Sequence, residues 1–179
     1  MRLINVITSK LEWKDDATVS PYAILSHTWG DTEDEITYHD IEPSLHKTGK
    51  GRDKFEGCRA QAMKDMHKYV WIDTCCIDKD SKTELDESIN SMFAWYEEAQ
   101  VCYAYLDDVP NKDDANFEER FSKSKWFTRG WTLQELLASE RLIFYSQDWQ
   151  PLGSKIDEEL SPIIEKINVH DKRVRQTSE

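Results

Sequence analysis

Residues able to do chemistry gather at three points of this sequence, each just after an apolar run: His27, Trp29 and Asp31; Asp73, Cys75 and Asp78; Asp107 and Asp108. A histidine in such a place is either a general base or ligand contact, or an imidazole tied to a backbone carbonyl. Asp73 and Asp78 suit Mg²⁺ or a ribose hydroxyl, or else the amides of their own loop, the simpler reading for Asp78. A nucleophilic Cys75 needs an imidazole such as His27 to lower its pKa, and no oxyanion-hole or orienting signal accompanies the pair. Further on, Trp131 and Glu135 stand four residues apart, so on a helix they share one face, a turn from each other. The plain alternatives are a solvated helix glutamate for Glu135, packing for Trp126 and a solvated loop for Asp107 and Asp108.

The elements that must position these residues are read from hydrophobic period. A short extended start, Arg2 to Val6, pairs near Leu11 to Trp13. Tyr22 to Ser26, Tyr69 to Asp73, Val101 to Leu106 and Leu142 to Tyr145 read as buried strands. Asp31 to Gly57 reads as a long polar insertion, and Glu56 to Tyr69 as a helix with Ala60, Met63 and Met66 inward. Ser81 and Glu84 form a capping box opening the clearest helix, Ser81 to Ala99, whose inner face is Leu85, Ile89, Met92, Phe93 and Tyr96. After a charged loop (Asn111 to Glu119) come a helix from Trp131 to Ser139, a hairpin arm at Trp149 and a closing helix from Ile156 to Ile167. Strands alternating with helices predict a doubly wound, mainly parallel α/β sheet with helices on both faces. Ligands of such sheets sit beyond the carboxyl ends of the strands, where all three polar groups fall.

Composition narrows the class. The chain has 179 residues, 35 acidic against 23 basic, with 11% aromatic residues including seven Trp. That is one domain's worth, here residues 1–170 with a core over 20–150 and a polar tail or linker at 171–179, and too aromatic for a disordered chain. No apolar run approaches the ~18 residues of a membrane span, and no signal peptide is visible. A net charge of −12 argues against broad capture of nucleic acid. Cys58, Cys75, Cys76 and Cys102 lack zinc-ligand spacing and read as buried thiols of a reducing, cytoplasmic protein; no metal is expected.

Four blocks carry a resemblance: Tyr22 through Gly30, Trp71 through Lys79, Glu84 through Tyr105 with Ser88-Ile89-Asn90-Ser91-Met92 at its centre, and Trp126 through Leu137. Their order and content resemble the heterokaryon incompatibility (HET) domain of filamentous fungi, itself similar to TIR domains. The resemblance implies a TIR/flavodoxin-like fold with HET-specific insertions, and a role in self/non-self recognition and programmed cell death. Trp131-Thr132-Leu133-Gln134-Glu135-Leu136 matches the Trp-Cys-Leu-x-Glu-Leu pattern of many TIR domains, with Thr132 in place of Cys. In that pattern the Glu serves NAD⁺ cleavage, so the resemblance implies an NAD⁺ glycohydrolase with Glu135 catalytic.

The remaining roles follow from that implied chemistry. Trp131 and Trp29 would bound the base pocket, Arg129 and Ser26 would approach phosphates, and His27 with Asp73 would order ribose or loops. Cys75 completes the candidate ligand-contacting set. NAD⁺ or a related dinucleotide is then substrate, no cofactor is required, and partners are further copies or other HET- and NLR-type signalling proteins. The competing class is a signalling module that works by association alone.

Overall fold

The computed structural model describes residues 1–15, 21–41 and 47–167; the expected tail after Asp171 lies outside them. Its sheet centres on β3 (Tyr22–His27), in which every residue is buried. A strand with neighbours on both sides and cover on both faces has no solvent side, so its sequence shows no alternation. β3 pairs in parallel with β4 (Tyr69–Trp71) on one side and β5 (Val101–Tyr105) on the other, and β5 pairs in parallel with β6 (Leu142–Tyr145). Antiparallel strands finish both edges: β1 (Arg2–Asn5) with β2 (Leu11–Trp13) beyond β4, and β7 (Pro151–Ser154) beyond β6. The seven strands thus run β2-β1-β4-β3-β5-β6-β7, a mixed but mostly parallel core in an α/β protein.

The crossovers decide where the helices lie. α1 (Lys50–Lys64) joins β3 to β4, α3 (Lys82–Glu98) joins β4 to β5, and α4 (Phe117–Ser122) and α5 (Gly130–Ala138) lie between β5 and β6. Because the chain steps first to one side of β3 and then to the other, right-handed crossovers put α1 on one face and α3 with α5 on the opposite one. Side chains agree: Ser26 meets Glu135 of α5, whereas Tyr103 donates to Asp65, just past α1, at 2.7 Å. The reversal at β3 opens a crevice at its carboxyl end.

Several expected elements shift. α1 starts six residues earlier than its apolar spacing suggests, and its buried face is Phe55, Cys58 and Ala62. Met63 and Met66 are 44% and 92% exposed, and Ala60 is exposed as well. A strict three-residue stripe drifts around a helix of 3.6 residues per turn, whereas steps of three and four stay on one face. Phe93, expected inside, is 44% exposed for a similar reason. The charged loop hides α4, held by buried Phe121 against Phe144. The capping box is only half formed. Ser81 accepts the Glu84 amide, but the Glu84 carboxylate turns to the Asp78 amide and Arg2. The closing helix is helical over 161–167 rather than from Ile156.

Gly57 of α1 sits beneath the Trp149 indole, which stacks on Tyr105 at 4.8 Å. A Cβ there would lie 2.0 Å from the indole nitrogen. Alanine normally favours a helix over glycine by ~1 kcal/mol, yet Gly57→Ala is expected to lower stability by about 1–3 kcal/mol through overpacking. Urea denaturation checks the sign, since a gain would mean the indole moves aside freely.

Candidate functional site

The carboxyl ends of β3 and β4 and the facing sides of α3 and α5 line a pocket of about 610 Å³, part of it open to solvent. Leu85, Ile89, Met92 and Tyr96 of α3 make its apolar wall. Their spacing of four, three and four is the inward stripe of that helix. The sequence reading took this stripe for core, because period alone does not distinguish a pocket wall from a packed interior.

Glu135 reaches the pocket from the second turn of α5 and is only 7% exposed. Its carboxylate accepts from the Ser26 hydroxyl, which in turn accepts the Trp126 indole N–H at 2.8 Å. An indole N–H can only donate, so it leaves the serine proton to point at Glu135. Trp126 therefore packs, as expected, against Phe127 and Phe144, and also orients the acid through Ser26. Burial pushes the Glu135 carboxyl up to about 7, Asp73 adds to this, and the Ser26 hydroxyl, Arg129 and Tyr96 pull it partly back. Thr132, where the TIR pattern has Cys, sets its hydroxyl 2.7 Å from the Arg129 carbonyl and 2.5 Å from that of Trp126. It ties the start of α5 to the preceding turn.

The strand ends supply the opposite wall. β4 runs into a single helical turn, α2 (Asp73–Cys76). Asp73, its first residue, accepts the Thr74 amide at 2.8 Å and the Trp29 indole N–H at 2.7 Å. Burial raises the Asp73 carboxyl, against the pull of Lys79 and the Trp29 bond. His27 ends β3 with its Nε2 3.3 Å from Asp73, yet neither ring nitrogen has a hydrogen-bond partner among the described residues. Burial, with the nearby charges of Lys54, Arg129 and Lys79, holds this imidazole neutral, far below its ordinary pKa. Arg129 donates to the His27 carbonyl.

Six of the eight residues singled out from sequence thus converge on the pocket: His27, Trp29, Asp73, Arg129, Trp131 and Glu135. The other two do not. Ser26, expected near phosphates, is fully buried behind Glu135 because it points to the α5 side of β3. Cys75 is buried with its thiol 3.1 Å from the Ile36 carbonyl, and burial drives its pKa well above the ordinary thiol value. That is the reverse of nucleophile activation. All four cysteines are buried and unpaired. Sequence reasoning missed Lys79, whose Nζ lies 3.8 Å from the centre of the Trp29 ring at the rim. Its place at the end of the Cys75-Cys76-Ile77-Asp78-Lys79 turn was the available signal.

Comparison with known proteins adds lineage to this geometry. Residues 22–119 match the family described as heterokaryon incompatibility protein (HET). The match ends before Trp126, so the segment holding Arg129, Trp131 and Glu135 lies beyond it. Vegetative incompatibility protein HET-E-1 of Podospora anserina is 48% identical over 142 residues, which is 76% of this chain and 10% of that protein. No solved structure matches. Among the described residues, no helix is long and apolar enough to cross a membrane.

Proposed function

The chain belongs to the heterokaryon incompatibility (HET) family, and on that premise we propose that it acts in fungal self/non-self recognition by cleaving the nicotinamide–ribose bond of NAD⁺. The observation that carries this reading is Glu135: a buried acid with a raised pKa, facing a pocket it shares with Trp131. Acids held in this way are a recurrent mark of catalytic sites. Loss of nicotinamide leaves an oxocarbenium-like ribosyl centre, and an ionised carboxylate beside it lowers the barrier as in glycoside hydrolysis. Water then adds to the ribosyl carbon, giving free nicotinamide, ADP-ribose and a proton. The half-exposed Trp131 indole offers a stacking face for the departing ring. Asp73 and neutral His27, which line the same pocket, would take the ribose hydroxyls in this reading.

The strand order also supports a TIR-like fold. Counted among themselves, the parallel strands run second, first, third, fourth, the flavodoxin-like sequence whose reversal marks the ligand crevice. A second reading, an interaction module acting in the cytoplasm through self-association or with NLR-type partners, draws on exposed apolar residues of the two helices that contribute to the pocket. Phe93 of α3 and Leu137 of α5 are 44% and 68% exposed.

The deciding experiment incubates concentrated protein with NAD⁺, free and clustered on a multivalent support, and follows nicotinamide by chromatography. Release above the no-enzyme rate is expected. None from folded, clustered protein would overturn the hydrolase reading in favour of the interaction module.

A further inference from the structure

We infer that Lys79 and Arg129, set against Trp29 at the rim of the pocket, form a phosphate-binding site, so that the ligand is a pyridinium ribonucleotide carrying a 5′-phosphate rather than the bare riboside. The identity of the pyridinium end rests on the hydrolase reading. The phosphate site rests on the charge layout alone.

That layout is polarised. The pocket is lined by the carboxyls of Glu135, which is 7% exposed, and Asp73, which accepts the Trp29 indole N–H, and by the apolar residues of α3. Two cations stand at the rim, in a chain of net charge −12. The Lys79 Nζ sits 3.8 Å from the Trp29 ring centre and the Arg129 guanidinium carbon 5.4 Å from it. Neither cation has a carboxylate within ion-pairing distance among the described residues. Lys79 is exposed, and Arg129 spends one donor on the His27 carbonyl, which leaves the rest of its fork open.

Two like charges on one indole are held by its ring electrons but repel each other, and an anion between them removes that repulsion. A ligand with a cationic ring at one end and a phosphate at the other complements both the carboxyls and the rim cations. A riboside satisfies only the carboxyls. Nearby, both ring nitrogens of His27 are buried beside the pocket with no hydrogen-bond partner among the described residues, and a sugar hydroxyl would give them one. Ser26, the phosphate contact expected from sequence, is sealed behind Glu135, and Lys79 takes that place.

Calorimetric titration with ADP-ribose, which keeps the phosphates but lacks the scissile bond, tests the site without turnover. Wild type is expected to bind, Lys79→Met to bind about tenfold more weakly, and Lys79→Arg to stay within about threefold. The wild-type affinity should fall as salt rises from 50 to 300 mM, values on the order of those that shorten electrostatic range. Methionine keeps the aliphatic cover over Trp29, so its thermal midpoint should match wild type. Failure of wild type to bind ADP-ribose, or equal binding by a well-folded Lys79→Met, overturns the site. Lys79-dependent binding without nicotinamide release would sink the hydrolase reading alone. Nicotinamide release indifferent to Lys79→Met would sink the phosphate site alone.

Discussion

Glu135→Gln is expected to reduce nicotinamide release by about 10²–10⁴-fold while making the protein more stable above pH 7. Both effects come from one buried carboxyl. Its pKa rises from an ordinary 4.5 to about 7 on folding, so between those values the folded state holds a proton that the unfolded chain has lost. Stability from this group is therefore complete below about pH 4.5 and is lost as pH rises through about 7. The loss is on the order of 3 kcal/mol, at ~1.4 kcal/mol per pH unit. Catalysis has the opposite slope. Stabilising a ribosyl cation needs the ionised form, so kcat/KM should climb about tenfold per pH unit below 7 and level off above it. Glutamine keeps the Ser26 bond and the volume but never ionises. Its thermal midpoint should then gain on that of wild type as pH rises from about 5 to 8, the contribution of buried, neutral His27 being common to both and cancelling in the difference. A variant that keeps activity would remove Glu135 from the chemistry, and matching pH–stability curves would mean that the acid is solvated.

The readable part of this molecule was what the chain writes locally. The four parallel strands appeared as apolar runs, and Ser81 marked the start of α3 through its hydroxyl. The strand-end rule placed His27, Trp29 and Asp73 around one crevice, and helical spacing added Trp131 and Glu135. What escaped depends on which side of an element faces inward. Ser26 and His27 are neighbours in β3, and the pleat sends one behind Glu135 and the other toward Asp73. Cys75 and Asp73 are two residues apart on one turn of helix, and only the aspartate reaches the pocket. Lys79 is an unremarkable lysine until a loop more than forty residues earlier brings Trp29 beneath it.

That loop leads to the second large effect, at a site remote from the chemistry. Lys54→Met is expected to destabilise the fold by about 3–5 kcal/mol. Lys54 on α1 and Glu35 in the insertion are a buried ion pair, 7% and 6% exposed. The pair also holds backbone on both sides of Trp29. The lysine donates to the Thr28 carbonyl at 3.3 Å, and the glutamate accepts the Gly30 amide at 2.6 Å. Methionine fills the volume of the lysine stem but leaves the buried Glu35 without its counter-charge, so most of the loss is the stranded carboxylate rather than the missing bond. The double variant Lys54→Met, Glu35→Gln should accordingly recover much of the stability, because the amide oxygen still takes the Gly30 N–H and no charge remains buried. It should not recover ADP-ribose affinity in full. Without Lys54 the Thr28 carbonyl loses its anchor, and Trp29, which carries the rim cations, is held from one side only. Urea midpoints for the single and double variants separate the two contributions. Equal losses in both would show that the pair is not coupled, and that the insertion rather than its charges holds the Trp29 turn in place.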